Sequence, residues 1–301
     1  MAGLQRHDNR YKLALVRVLR QVLFAVLLCT VPIRARQQAL PPVQPIKAIK
    51  VILVGDSTVQ GGSGWGGSFC ALHLTSFAAC VNLGRGGRSS SSYTAEGSWQ
   101  LALNEMATPG FAATYVLIQF GHNDQPGKPG RSTDLVTEFP VNIARYVSET
   151  RAKGATPVLV TPLARRQFKA GKLDNDLAPW ADAIRKIAGD TNSPLLDLNG
   201  DSAAALQALG PVLSARFAQL PPSPEVAAAL QTGTTIAAST GATPPPAQSA
   251  GVAATNFDPL ADPKLAFDYT HLGREGADFF AAMITRELAA AVPALRRYLF
   301  F

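Results

Sequence analysis

The order of apolar runs along this chain predicts an α/β domain: a parallel sheet covered by helices on both faces, in three α/β/α layers. Three observations carry that expectation. Short runs rich in Val, Ile and Leu recur and end at glycine or proline, as strands do. Stretches of ten or more residues with helical spacing separate them, far more than a hairpin needs and enough for a parallel crossover. Composition supplies a core: of 301 residues, 47% are hydrophobic and 16% charged, which excludes a disordered chain.

Each element follows in order. Residues 49–54 (IKVILV) form the first strand, ending at Gly55. A Gly-rich loop leads to a helix over about 67–78 and a short strand at 81–83. The third strand, 115–120, ends at Gly121. Thr137 is placed to cap a helix over 138–153, with Pro140 in its first turn and Gly154 where a C-terminal glycine is expected. A fourth strand at 157–161 is stopped by Pro162, followed by a helix over 176–188 and a short fifth strand at 193–198. The final helix runs over 274–291, with Pro293 beyond it. Residues 202–262 break this rhythm with Ala, Pro, Thr and Ser. They are read as an insertion with helices near 203–209 and 224–230, then a loop over about 232–255.

The 28 Lys and Arg against 21 Asp and Glu, with a pI near 9.5, would ordinarily raise a polyanion as partner. Position decides otherwise. Seven of the basic residues and one acid lie in residues 1–36, leaving 21 basic against 20 acidic residues in the rest. Nucleic acid is therefore not an expected partner. The leader joins this basic stretch to Val22-Leu23-Phe24-Ala25-Val26-Leu27-Leu28, an apolar core shorter than the ~20 residues of a spanning helix. It reads as a signal peptide, with an uncleaved N-terminal anchor as the alternative and the only route to a membrane. Residues 37–48 form a linker, 49–292 the domain and 293–301 a tail. Three cysteines without a C-x-x-C exclude a zinc ribbon. If Cys70 and Cys80 flank one helix of about nine residues they stand ~15 Å apart, so two unpaired thiols are expected.

Chemistry gathers where strands end. Gly55-Asp56-Ser57-Thr58 puts a serine at the carboxyl end of the first strand, in the crevice where doubly wound sheets bind ligands. By itself this reads first as a strand-to-helix turn capped by Asp56 and Ser57. A serine hydroxyl needs a base, and the base needs an orienting group. Asp268-Tyr269-Thr270-His271 supplies both within one turn. Acyl transfer also builds charge on a carbonyl oxygen. Asn123, in Gly121-His122-Asn123-Asp124, can aim a side-chain amide at it, and Gly87, in Gly86-Gly87-Arg88-Ser89, a backbone N–H.

These four ordered blocks resemble the GDSL, or SGNH, hydrolase superfamily, and within it the rhamnogalacturonan acetylesterase branch. The more specific matches are Gly55-Asp56-Ser57-Thr58, Gly86-Gly87-Arg88-Ser89 with Ser92-Tyr93-Thr94 and Glu96-Gly97, and Phe120-Gly121-His122-Asn123-Asp124. The resemblance implies a flavodoxin-like five-stranded sheet and no cofactor. It further implies Ser57 as nucleophile, His271 as base, Asp268 as orienter, and an oxyanion hole from Ser57, Gly87 and Asn123. The implied activity is that of an exported serine esterase removing O-acetyl groups from a plant cell-wall polysaccharide, rhamnogalacturonan or related pectin. The insertion at 202–262 is the departure from the family pattern.

Competing patterns are weaker. Gly62-Ser63-Gly64-Trp65-Gly66-Gly67 satisfies G-x-G-x-x-G, but it lies past the strand end and no acid falls between Asp56 and Glu96, so a dinucleotide site is not expected. No G-x-S-x-G and no H-E-x-x-H occurs, which leaves neither an α/β-hydrolase elbow nor a metal site. His122 reads as a structural neighbour of Asn123, and His73 as a residue of an apolar helix. Candidate substrate contacts are Asp56, Trp65, Arg165 and Arg166, the arginines heading a basic cluster with Lys169 and Lys172 that suits uronate carboxylates. The alternatives are a lipid esterase, lysophospholipase or thioesterase on the same fold, or a silent carbohydrate-binding module.

Overall fold

The computed structural model describes residues 47–238 and 266–301. The leader, most of the linker and most of the 232–255 loop lie outside the described residues. Among the described residues, no helix is long and apolar enough to cross a membrane.

A five-stranded sheet organises the domain: β1 (Ile49–Gly55), β2 (Ala78–Asn82), β3 (Thr114–Gln119), β4 (Thr156–Val160) and, after a two-stranded hairpin of β5 (Phe168–Lys169) and β6 (Lys172–Leu173), β7 (Leu195–Leu196). The order is β2-β1-β3-β4-β7, and every pair in it is parallel. The α/β fold read from the sequence is therefore the fold observed. Because side chains alternate across a strand, two cores form. Val51, Leu53, Leu117, Val158 and Val160 pack with Phe69, Phe280, Ile284 and Leu288 on one face. Ile52, Val54, Val116, Ile118 and Leu159 pack with Trp99, Phe139, Ile143, Tyr146 and Ile184 on the other. Strands covered on both faces explain the near-continuous apolar runs. Lys50 is the exception, and its buried ammonium is met by the Glu105 carboxylate at 2.5 Å and the Glu105 carbonyl at 3.0 Å.

The helices are α1 (Gly66–Leu72), α2 (Ser92–Ala95), α3 (Ser98–Met106), α4 (Phe139–Ala152), α5 (Ala178–Asp190), α6 (Leu198–Ser214), α7 (Pro224–Gln231) and α8 (Arg274–Ala291). The last matches its expected span. Four readings need correction. The first helix ends at Leu72, not near residue 78, and the chain turns back at 73–77 to enter β2. Cys70 and Cys80 thus lie on neighbouring elements, 5.6 Å apart between Cα atoms, and form a disulfide. The ~15 Å separation holds only along one continuous helix, and here the chain leaves α1 before Cys80.

Thr137 does not cap α4; the Asp134 carboxylate instead accepts from the Val136 and Thr137 backbone N–H groups at 2.9 and 2.7 Å. The fifth strand is only two residues long because Asp197, accepting from the Gly200 N–H, already starts α6. The 202–262 segment accordingly opens within a long helix, broken at Gly210 (φ 72°) and Pro211.

Candidate active site

Strand register brings the loops together. Leu53 of β1 pairs with Asn82 of β2, and Gly55 with Gln119 of β3, so the segments after three neighbouring strands surround Ser57. Asn82 binds this corner by donating to the Val59 carbonyl at 2.9 Å. The Arg85 N–H donates to the Gly55 carbonyl at 2.9 Å. At Gly64 the chain passes so close to the turn after Ser57 that an added Cβ would stand 2.0 Å from the Thr58 oxygen. The tight loop beside the serine needs this glycine.

Ser57, His271 and Asp268 are brought into line. His271 Nε2 lies 2.9 Å from Ser57 Oγ, and His271 Nδ1 lies 2.6 Å from Asp268 Oδ2. The other Asp268 oxygen accepts from the Thr270 and His271 backbone N–H groups at 2.7 and 2.6 Å. Burial alone would raise the Asp268 carboxyl, but the hydrogen bond and charge of His271 with these two N–H groups hold it below its ordinary value. The Asp268 carboxyl is thus ionised at neutral pH. His271 and Asp268 keep 34% and 32% of their side chains open, while Ser57 is nearly covered. The arrangement can pass a proton from the hydroxyl to the imidazole and stabilise the resulting imidazolium.

The expected oxyanion donors stand alongside. Gly87 has φ 77°, a left-handed conformation that favours glycine. Arg88 fixes this turn by donating to the Gly86 carbonyl at 2.8 Å and to Glu96 at 2.8 and 3.0 Å. Among the described residues neither the Ser57 nor the Gly87 N–H donates to a protein acceptor. Asn123 Nδ2 donates one hydrogen to the Arg88 carbonyl at 3.1 Å. That bond fixes its amide beside the Gly87 turn and leaves a second N–H to give. Below it, the buried Asp124 accepts from Ser90 Oγ at 2.6 Å, Ser90 N at 3.0 Å and Thr133 Oγ1 at 3.0 Å. Burial pushes its carboxyl up to about 6 despite these bonds.

Three of the expected substrate contacts are internal. Trp65 is fully buried and donates its indole N–H to Gln119 Oε1 at 2.9 Å. Asp56 is buried too, with one oxygen accepting from Thr58 N and Oγ1 at 2.8 Å each and the other 3.4 Å from His122 Nδ1. Burial drives His122 towards its neutral form, although the Asp56 charge opposes this. Arg166 is only 2% exposed, turned towards the backbone of residues 268–271, so no sugar carboxylate can reach it. Arg165 is partly covered, reaching Asp176, Gln125 Oε1 at 2.7 Å and Thr270 Oγ1 at 3.2 Å. The sequence reading overlooked Gln119, which also donates to Thr58 Oγ1 at 2.5 Å. A lone amide ending an otherwise apolar strand was its available signal. Among the described residues no cluster could hold a metal.

A family model, that of the GDSL-like lipase/acylhydrolase family, matches residues 53–229, more than half of the chain. The chain belongs to the GDSL-like lipase/acylhydrolase family. Its match stops before Asp268 and His271, so the geometry, not the family match, joins them to Ser57. Two curated relatives come from Bacillus subtilis (strain 168). The probable rhamnogalacturonan acetylesterase YesY is 36% identical over 50% of this chain and 66% of its own length. The rhamnogalacturonan acetylesterase RhgT is 36% identical over 57% of this chain and 74% of its own. Among solved structures, a Bacillus subtilis protein named YXIM shares the fold, with a TM-score of 0.58 and 21% identity over 82% of this chain and 58% of its own. This GDSL-family chain therefore spans about two thirds of the first relative and less of the solved neighbour.

Proposed function

We propose that this chain is an exported esterase that removes O-acetyl groups from an acidic plant cell-wall polysaccharide, rhamnogalacturonan or a related pectin. The observation that carries the reading is the hydrogen-bonded line from Ser57 through His271 to Asp268, at the carboxyl edge of the sheet. His271 Nε2 takes the Ser57 hydroxyl proton as Oγ attacks the acetyl carbonyl carbon. The tetrahedral oxygen receives hydrogen bonds from the Ser57 and Gly87 N–H groups and Asn123 Nδ2, each such donor being worth ~3 kcal/mol. As the carbon–oxygen bond to the sugar breaks, the imidazolium returns its proton to the sugar oxygen. Water, deprotonated by His271, then attacks the acetyl-Ser57 ester and releases acetate. No cofactor enters these steps.

The named activities of the two Bacillus subtilis relatives support acetyl ester and rhamnogalacturonan as substrate. Lys128 and Arg131, donating to the His122 and Gly87 carbonyls, set positive charge beside the oxyanion donors, which supports an anionic glycan. The Cys70–Cys80 disulfide supports export, since such bonds persist in oxidising compartments. Acetate release from acetylated rhamnogalacturonan, compared with acetylated xylan and long-chain acyl esters, tests the proposal. Preference for the first is expected; preference for long acyl chains would assign the chain to lipid esterases instead.

A further inference from the structure

The Asp268–His271 turn is held from one place. Arg166, in the loop after β4, donates from Nη2 to the Asp268 carbonyl at 2.8 Å and the His271 carbonyl at 2.7 Å. Its Nη1 reaches the Thr270 carbonyl at 3.3 Å. Its backbone N–H donates to the Tyr269 carbonyl at 2.9 Å. All four carbonyls of the turn are thus taken by one residue. A rigid planar fork reaches acceptors spread along a turn in one fixed geometry, which the compact ammonium of a lysine does not.

This is an unusual use of a buried charge. Arg166 is 2% exposed, and among the described residues it has no ion-pair partner within 4 Å; the nearest opposing charge acting on it is Asp268. Burial pulls its guanidinium down to about 10, still charged at neutral pH. A buried cation without a carboxylate partner is costly unless its donors are satisfied, and here backbone carbonyls accept from both Nη1 and Nη2, while among the described residues Nε has no partner. The Asp268 charge in turn favours the cation. A second brace meets the same turn from the nucleophile side: the Leu272 N–H donates to the Ser63 carbonyl at 2.8 Å, and Ser63 Oγ donates to the Ser57 carbonyl at 2.7 Å.

We propose that Arg166 is the positioning residue of the acid–base pair, gripping the backbone of residues 268–271 so that His271 faces Ser57. The inference rests on the esterase reading for its kinetic arm only. In Arg166→Met the side chain keeps its bulk but loses every donor. With an acetyl ester, kcat is expected to fall about 100-fold, the scale of an ångström-sized misplacement. KM should stay within about two-fold, because no substrate contact is removed. In the resting protein, the downfield proton resonance of the short Asp268–His271 hydrogen bond should broaden or vanish.

Arg166→Lys retains the charge without the fork. It is expected to fall between wild type and Arg166→Met in both readouts, and it decides the matter alone if Arg166→Met does not fold. A folded Arg166→Met or Arg166→Lys with wild-type kcat and an intact resonance would overturn the proposal. A rise in KM at unchanged kcat would also overturn it, since that marks a substrate contact. Undiminished turnover in Ser57→Ala would instead strike the esterase reading, while the resonance would still decide the role of Arg166.

Discussion

The two sides of the site are built differently. Ser57 is held by its own neighbourhood: it follows β1 directly, and Thr58, Ser63 and Gly64 close the loop around it. Among the described residues, Gln119 and Asn82 reach in from the strands paired with β1. The base side lies more than 200 residues further along the chain and meets Ser57 through tertiary hydrogen bonds. One nearly inaccessible arginine takes four carbonyls, and α8 begins three residues after His271. A serine set by local sequence tolerates change elsewhere in the fold. A histidine set by remote contacts does not, because any shift in the β4 loop becomes a shift of His271 against Ser57.

The largest expected effect separates the two sides by chemistry. Asp268→Asn keeps the size of the side chain but removes the charge that orients His271. Activity on acetyl esters should fall roughly 10,000-fold, with the melting temperature close to wild type. Kinetics alongside a thermal melt check this. Loss of both together would mean that Asp268 is chiefly structural.

A smaller effect belongs to the nucleophile side. The Cys70–Cys80 disulfide ties α1 to β2, the elements that flank the Ser57 loop. Reducing it, or replacing both cysteines with serine, should cost about 3 kcal/mol of stability for so short a loop. The folded fraction should keep its kcat, because Ser57 is fixed by closer contacts. Denaturant melts with and without reductant measure the first part, and activity well below the melting transition the second.

The smallest effect lies on the base side. Glu287 on α8 is partly buried, and burial together with Asp201 and Asp197 pushes its carboxyl up to about 8 from an ordinary value near 4.5. A folded-state value above the unfolded one means that the native protein binds the extra proton between these limits. The stability this group contributes is full below pH 4.5 and is lost as pH rises through about 8. Glu287→Gln should remove that decline, melting higher than wild type at pH 9 and alike at pH 4.5. Identical pH profiles would contradict it.

How much was legible in the sequence follows the same division. The strand ends, the Ser57 turn and the span of α8 could be read because each depends on residues close together in the chain. Asp268 and His271 could be read because they share one turn. Burial could not be read. Arg166 and Arg165 are adjacent and chemically alike, yet one grips the chain behind His271 while the other reaches the partly open Asp176. Trp65 in a Gly-rich loop gave no sign that Gln119 would receive its indole N–H. The disulfide is not legible in the sequence because the turn at 73–77 reverses the chain where the spacing predicts one continuous helix. Such facts belong to packing between remote segments, and local pattern is silent about them.

The central claim is that Ser57 carries the acyl group. Rapid acid quench during turnover of an acetyl ester, followed by peptide mass analysis, tests it directly. The account predicts one acetyl group on the peptide bearing Ser57, absent from Ser57→Ala and lost with the kinetics of acetate release. Turnover by a protein whose Ser57 peptide never gains an acetyl group would contradict it.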